Sequence, residues 1–245
     1  MKVCWNITSK CNRNCKYCFK FNKDDLSLEK NKKVLDNLVK LGVKKISWTG
    51  GEPFLYKELP ILLKLSKKYG IINSVNTNLT TVDIDNLKEK IENIDRLIIS
   101  LDFVRDDLNL KYGIGKDYYL HVSKILKKIK DINPDIIIQL NTVLFSGNIS
   151  RMNELYEEIN RYNIDYWKII RFLPIRGKAY AEKDVLAITD EQFENFVSQF
   201  NNRKQKFKII IHGLTEMEKK HIIVLSSGKL IYSEKGQDVE VKSLI

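Results

Sequence analysis

Three cysteines near the N-terminus have a spacing that suits iron better than a disulfide. Cys11, Cys15 and Cys18 form a C-x3-C-x2-C pattern in a polar stretch, and the only other cysteine, Cys4, precedes them. Thiolates are the usual ligands of iron–sulfur clusters, whereas a secreted disulfide scaffold would spread its cysteines along the chain. Three thiolates on a four-iron cube leave one iron atom open, and an open iron can bind and activate a further molecule.

Two interpretations without catalysis remain open for these cysteines. Three cysteines and a distant histidine could hold a structural zinc ion, although His121, His212 and His221 show no finger-like spacing. The cysteines could also hold a simple electron carrier, which would leave most of the 245 residues without a role. Cys4 lies on a predicted strand, away from the triplet, and is interpreted as a buried core thiol.

A glycine-rich motif lies one structural unit after the cysteines. Gly50-Gly51-Glu52-Pro53 follows a predicted strand at 45–49, and the cysteine loop follows a predicted strand at 3–8. Glycines let the backbone approach a ligand closely. Parallel α/β sheets bind ligands at the carboxyl ends of their strands, so we expect the two motifs to share one site.

The two motifs together resemble those of the radical S-adenosylmethionine (radical SAM) superfamily. In that superfamily the open iron of a [4Fe–4S] cluster chelates S-adenosylmethionine, and its reductive cleavage yields a 5′-deoxyadenosyl radical that abstracts hydrogen from the substrate. The resemblance implies that Cys11, Cys15 and Cys18 bind the cluster and that Gly50-Gly51-Glu52-Pro53 receives the amino group of the cofactor. No side chain is singled out as catalytic, because the radical comes from the cofactor.

The resemblance extends to polar residues at the ends of the following strands. Further cofactor contacts are expected at Thr77, Asn78, Ser100, Asp102 and Asn141. Each of these residues could instead serve as a helix cap or a turn residue. Tyr17 is expected beside the adenine, as an exposed aromatic residue of the cysteine loop.

Short apolar runs alternate with amphipathic stretches about six times along the chain. Strands are predicted at 3–8, 45–49, 71–76, 96–101, 136–144 and 166–172, with helices between them. Uniformly apolar strands are typical of parallel sheets covered on both faces, and six units are too few for a closed eight-fold barrel. The pattern predicts an α/β fold, a partial (β/α)6 TIM-like barrel with an open, curled parallel sheet.

The last forty residues follow a different pattern. A strand is predicted at 207–211, and 222–226 with 229–233 are predicted to form a β hairpin that turns at Ser227-Gly228. We therefore expect a radical SAM core at 1–205, with its cluster loop at 9–20, and a C-terminal β extension at 206–245 that caps the barrel.

The formal charge of +11 has two explanations. It could mark a surface for nucleic acid or another polyanion, or it could follow from a composition rich in lysine, isoleucine and asparagine. The lysines are scattered along helices with acids nearby, which favours composition, and no nucleic-acid partner is expected.

The N-terminus is too short and polar for a secretory signal, and no apolar run approaches the roughly 18 residues of a membrane span. We expect a cytoplasmic protein with no membrane contact.

Other segments indicate a branch of the superfamily. Cys18-Phe19, Trp167-Lys168 and 188–194 resemble viperin-like enzymes, which dehydrate the ribose of nucleoside triphosphates. The resemblance is incomplete, because Gln139 stands where those enzymes carry a triphosphate-binding lysine. The run 171–177 is more similar to radical SAM enzymes of the molybdenum-cofactor and peptide-modifying groups.

We expect a small, anionic, nucleotide-like substrate. Lys20 and Lys23 follow the cluster loop, and Arg171 is expected to point toward the barrel mouth. The alternative is a single-cluster enzyme that modifies a peptide or protein. Either activity implies an electron donor, such as a reductase, a flavodoxin or a ferredoxin.

Overall fold

The computed structural model describes residues 1–200, 203, 205–217, 219, 221–234 and 237–245. The strands of these residues are β1 Lys2–Thr8, β2 Lys45–Gly50, β3 Ile72–Thr77, β4 Arg96–Ser100, β5 Ile137–Leu144, β6 Tyr166–Arg171, β7 Lys208–His212, β8 His221–Val224, β9 Lys229–Glu234 and β10 Gln237–Ser243. The helices are α1 Leu28–Lys40, α2 Leu59–Lys68, α3 Ile84–Ile91, α4 Asp106–Lys111, α5 Tyr118–Ile132, α6 Met152–Ile159, α7 Gly177–Ala181, α8 Lys183–Leu186, α9 Asp190–Phe200 and α10 Leu214–Met217.

The strands form one sheet in the order β10-β9-β8-β1-β2-β3-β4-β5-β6-β7. Strands β1 to β7 are parallel to their neighbours, and β8 is parallel to β1. In the part of the chain that the structure describes, β7 pairs only with β6, so the sheet stays open. The predicted open, curled parallel sheet is confirmed.

The C-terminal strands continue this sheet. The predicted hairpin is confirmed as β8 and β9, which pair antiparallel across the turn at Ser227-Gly228. The strand predicted at 207–211 is β7, which extends the parallel run beside β6 because α9 serves as one more crossover helix. Strand β10 was not predicted, since its residues are exposed and carry no burial pattern. The division of the chain at residue 205 stays a prediction.

The helices cover one face of the sheet with the predicted apolar stripes. In α5, for example, Val122, Ile125, Leu126 and Ile129 are all buried. Successive side chains of a strand point to opposite faces, and most helix-facing positions are apolar. Trp5 of β1 and Trp48 of β2 stack there with ring centroids 4.8 Å apart.

The opposite face of the sheet, here called the inner face, carries most of the polar strand residues. Neighbouring strands place Cys4 beside Ser47, Ser47 beside Ser74, and Ser74 beside Arg96. Such a row is unsuited to a dry core, so the inner face is the side of the sheet available to polar ligands.

A membrane span would need a long, apolar helix, and the helices described here include none.

Candidate active site

The three cysteines of the triplet lie in the loop between β1 and α1, partly exposed and not in disulfides. The pKa of the Cys15 thiol is raised to about 12, by burial first and then by Asp102, Cys18 and Cys11. Burial is also the main cause of the raised pKa of Cys11, to which Glu52 and Cys18 contribute. The three thiols therefore lie close enough to affect one another's ionisation.

This donor set fits an iron–sulfur cube. In a cube each thiolate binds its own iron atom, so the sulfur atoms do not converge on one point. Among the described residues, no three side chains of His, Cys, Asp or Glu converge as the ligands of a single metal ion do. Three thiols on one short loop, held apart but near each other, are the donors that such a cluster prefers.

The glycine motif holds the start of the cysteine loop. The Gly51 N–H donates to the Thr8 carbonyl at 2.8 Å, and the Glu52 N–H donates to the Lys10 carbonyl at 2.8 Å. A Cβ atom on Gly51 would overlap the Lys10 carbonyl oxygen, and one on Gly50 would overlap that of Thr8. The glycines are thus required for close packing of two backbones, whatever they also bind.

A turn after α4 holds the middle of the same loop. The Asn14 N–H donates to the Gly113 carbonyl at 2.9 Å, and the Lys16 N–H donates to the Tyr112 carbonyl at 3.1 Å. A Cβ atom on Gly113 would overlap the Asn14 carbonyl, and one on Gly115 would overlap the Arg13 guanidinium. The Gly113-Ile114-Gly115 pattern predicts a turn before the next helix, and the structure confirms that turn between α4 and α5.

The side chain of Glu52 joins the ends of two strands. Its buried carboxylate accepts hydrogen bonds from the Thr77 hydroxyl at 2.6 Å, the Asn78 N–H at 2.7 Å and the Phe54 N–H at 3.1 Å. Burial raises the pKa of Glu52, and these hydrogen bonds oppose the rise. Pro53 begins the short 3-10 helix Pro53–Leu55 and is itself buried. Thr77 and Asn78 therefore position the glycine motif.

The expectation that Tyr17 is an exposed loop residue is wrong. Its side chain is 8% exposed, and its ring lies 5.0 Å from that of Phe145. Its hydroxyl donates to Asp102 at 2.6 Å, and Asp102 also accepts the Val143 N–H at 2.7 Å. Burial raises the pKa of Asp102 to about 6, against the effect of these two hydrogen bonds. A contact of Tyr17 with adenine stays a prediction.

Ser100 and Asn141 are direct neighbours on β4 and β5. The Asn141 amide oxygen accepts a hydrogen bond from Gln139 at 2.7 Å. Asn141 also pairs with Lys168 of β6, so Ser100, Asn141 and Lys168 share the inner face. The cysteine loop, the glycine motif and Ser100 lie at the carboxyl ends of β1, β2 and β4, as the sequence predicts, whereas Asn141 and Lys168 lie in the middle of their strands.

The structure separates the three predicted substrate residues. Lys20 donates to the Ser9 carbonyl at 2.8 Å, beside the cysteine loop, and Lys23 is exposed. Arg171 does not point toward the inner face, contrary to expectation, and its side chain is largely buried on the helix side of β6. There it pairs with Asp190 at 2.6 Å and donates to the Ile188 carbonyl at 2.9 Å.

Cations on the inner face were missed by the sequence analysis. Lys168 is partly buried, and its pKa is lowered to about 8, by burial first and then by Lys2. Arg96 donates to Gln139 at 3.1 Å and lies 4.8 Å over the Tyr166 ring. The signal for Lys168 was present in the strand alternation, because apolar Trp167 and the other helix-facing residues flank it.

Comparison with known proteins agrees with this arrangement. The family model of the radical SAM superfamily matches residues 5–173. An S-adenosylmethionine-dependent nucleotide dehydratase from Flammeovirga pacifica is 24% identical over 96% of this chain and 83% of its own length. One from Lacinutrix mariniflava is 26% identical over 96% of this chain, which spans 51% of that relative. Streptococcus suis SuiB, solved bound to S-adenosylmethionine, covers 94% of this chain with a TM-score of 0.75 at 15% identity, and the chain spans 59% of SuiB.

The contact between Gly51 and the loop leads to a first prediction. We expect Gly51→Ala to lower severalfold the iron retained after anaerobic reconstitution, because the new methyl group displaces the backbone at Lys10. Overpacking of this kind costs about 1–3 kcal/mol of unfolding free energy. Iron assay and urea unfolding measure both effects.

Gly70→Ala is the matched control for this substitution. Gly70 has a φ of 70°, and a Cβ atom there meets nothing within 4 Å. The left-handed backbone costs an alanine about 1 kcal/mol, so this variant loses some stability and keeps its iron. Full iron content in Gly51→Ala would show that the loop does not depend on this contact.

Proposed function

The chain belongs to the radical SAM superfamily, and from that premise we propose that Cys11, Cys15 and Cys18 hold the [4Fe–4S] cluster that the family uses. S-adenosylmethionine bound to such a cluster supplies a 5′-deoxyadenosyl radical for hydrogen abstraction. The predicted membership is confirmed, and so is the resemblance to the viperin-like branch, to which the nucleotide dehydratases belong. The protein is a radical SAM enzyme, and the proposals below concern its residues and its substrate.

The residues around the cysteine loop divide into two groups in this proposal. Backbone groups of Gly50-Gly51-Glu52-Pro53 line the cofactor site, with Thr77, Asn78 and Asp102 holding its walls in place. Ser100 and Asn141 have side chains on the inner face, where a ribose or a carboxylate can reach them. This assignment is supported by the position of Ser100 at the carboxyl end of β4 and by the pairing of Asn141 with Ser100.

The substrate that we propose is anionic. The cations at inner-face positions of β1 to β7 are Lys168, in the middle of β6, and Lys2, Lys45, Arg96 and Lys208, each the first residue of its strand. In the described part of the chain none of these five side chains forms a salt bridge, and no inner-face position of β1 to β7 carries an acid. This unpaired positive charge is the observation that carries the proposal.

The cations disfavour one another's charged forms. Burial and then Arg96 and Lys2 lower the pKa of Lys45, and burial and then Lys168 lower that of His212. Like charges in a partly desolvated site raise each other's cost of ionisation, and such perturbation is concentrated at functional sites. A bound polyanion would offset this repulsion, so the inner face favours binding of a polyanion.

We propose a nucleoside triphosphate as that polyanion, with hydrogen abstracted from its sugar. The relatives from F. pacifica and L. mariniflava are named nucleotide dehydratases, which supports the same class of substrate here. The guanidinium of Arg96 and the ammonium of Lys168 suit phosphate oxygens as a fork and as a point charge. Lys20 and Lys23 are secondary candidates beside the loop, and Arg171 is less suited because Asp190 already neutralises it.

Iron content tests the cluster ligands. Cys11→Ala, Cys15→Ala and Cys18→Ala should each lose the brown cluster of about four irons per chain, because the remaining two thiolates cannot hold it. Cys4→Ala, on β1, should keep it. Metal analysis and absorbance after anaerobic reconstitution decide the matter; zinc bound tightly in place of iron would contradict the proposal.

A substrate panel tests the activity. Nucleoside triphosphates should raise 5′-deoxyadenosine formation above the substrate-free rate in reduced enzyme, and peptides should not. Lys168→Met should raise KM for the triphosphate about tenfold or more, because a charge-assisted hydrogen bond contributes about 1.5–3 kcal/mol. Exposed Lys33 on α1 supplies the control, Lys33→Met, with unchanged KM. Stimulation by a peptide and by no phosphorylated compound would instead establish the peptide-modifying alternative.

The pKa of Lys168 predicts how binding depends on pH. With a pKa of about 8 in the free protein, Lys168 is charged below pH 7 and neutral above pH 9. Triphosphate affinity should therefore fall above pH 8 by up to about tenfold per pH unit, as Lys168 loses its proton. In Lys168→Arg, whose guanidinium stays charged, calorimetric titration should show no such decline. An equal decline in both proteins would rule out Lys168 as its source.

A further inference from the structure

A shallow cleft lies against the cysteine loop, between the loop, α4 and α7. Its volume is about 390 Å³, and its walls include Asn14 and Lys16 of the loop, Leu110 and Lys111 of α4, and Lys178 of α7, with Glu182 at one side. The elements that form it are all tied to the loop by hydrogen bonds. It is therefore a fixed feature of the loop's exterior.

The cleft lies directly outside the backbone that carries Cys15 and Cys18. Asn14 and Lys16 flank Cys15 in sequence, and their N–H groups are bonded to the turn after α4. On the other side, the Ala179 N–H donates to the Cys18 carbonyl at 3.1 Å. A molecule seated in the cleft would be separated from the thiols by little more than one layer of backbone.

The surface around the cleft combines positive charge with exposed apolar side chains. Lys16, Lys111 and Lys178 form no salt bridge within the described residues, although Lys178 contacts the Asn14 amide oxygen. Leu110 and Tyr180 are each 56% exposed. Unpaired cations beside exposed apolar groups are typical of a surface that meets an acidic protein partner.

We propose that this cleft docks an acidic flavodoxin as the electron donor of the enzyme. One electron leaves the reduced flavin and enters the cluster, so the flavin is oxidised by one electron and the cluster reduced by one. A shallow, partly apolar cleft fits the planar, apolar ring edge that a flavin presents at its protein's surface. Electron-transfer complexes have small interfaces, and opposite charge speeds their encounter. The inference rests on the proposed cluster at Cys11, Cys15 and Cys18.

The test compares two reductants. Holoenzyme is mixed with a purified acidic flavodoxin in its fully reduced form, and cluster reduction is followed by stopped-flow absorbance; dithionite serves as the small reductant that needs no docking. In Lys111→Glu/Lys178→Glu, the second-order rate constant with flavodoxin at low ionic strength should fall about tenfold or more. The rate with dithionite should not change. The rate constant of the neutral double variant Lys111→Gln/Lys178→Gln with flavodoxin should lie between those of the unaltered enzyme and Lys111→Glu/Lys178→Glu.

The control carries the same change of net charge elsewhere. Lys33→Glu/Lys64→Glu alters exposed residues of α1 and α2. Flavodoxin should reduce the cluster of this variant as fast as that of the unaltered enzyme. Anaerobic calorimetric titration of flavodoxin into the holoenzyme gives a second readout. Weaker binding is expected for the Lys111/Lys178 variants but not for the control, and for the unaltered enzyme at higher salt.

Two results would overturn the docking surface. One is equal slowing in both double variants, which would mean that net charge alone matters; the other is unchanged flavodoxin binding and reduction in Lys111→Glu/Lys178→Glu. A preference for an acidic ferredoxin over flavodoxin would reject the donor. Loss of reduction by dithionite in the unaltered enzyme would instead contradict the proposed cluster, so the two failures are distinguishable.

Discussion

The buried carboxylate of Glu52 is the group on which the geometry of the site depends. A buried carboxylate is costly unless hydrogen bonds satisfy it, and here the donors are the Thr77 hydroxyl and the N–H groups of Asn78 and Phe54. The ends of β2 and β3 must therefore stay within reach of one side chain. The backbone N–H of Glu52 also holds the Lys10 carbonyl, so the start of the cysteine loop is fixed to the same point. A cofactor bound between loop and sheet meets a frame made of backbone and buried groups.

The parallel sheet could be predicted because its strands are short apolar runs that alternate with striped helices. That pattern depends on burial, and it fails where burial is absent. Strand β10 has Val239 63% exposed and Val241 43% exposed, so its residues follow no core-facing period. The placement of β8 beside β1 was also beyond reach of the sequence, because strand pairing between distant segments is set by how the whole sheet curls and not by local propensity. The six βα units needed only local signals.

The residues of the candidate site also divide into those that local patterns predict and those that depend on tertiary structure. The cysteine triplet and the glycine motif are local patterns with a fixed chemistry, and the sequence places both correctly at strand ends. The side of the sheet to which a strand residue points depends on register, and a shift of one residue reverses it. The expected direction of Arg171 was wrong for this reason, since Arg171 lies three residues from inner-face Lys168 and three residues along a strand lead to the opposite face. Tyr17 was misplaced for another reason: a loop residue can be buried by side chains such as Phe145, which lies far away in the sequence.

The net charge of +11 does not single out one surface of the protein, but the environment of each cation does. Lys67 lies 2.6 Å from Asp95 and Lys130 lies 3.1 Å from Asp165, so their charges are matched on the protein itself. Lys168 has no such partner in the described part of the chain, and burial lowers its pKa. A lysine-rich composition would explain lysines that are paired with acids in this way. It does not explain a partly desolvated one facing other cations, because that arrangement destabilises the protein unless an anion is bound. The inner face is thus distinguished from the rest of a basic protein by uncompensated charge and not by the amount of charge.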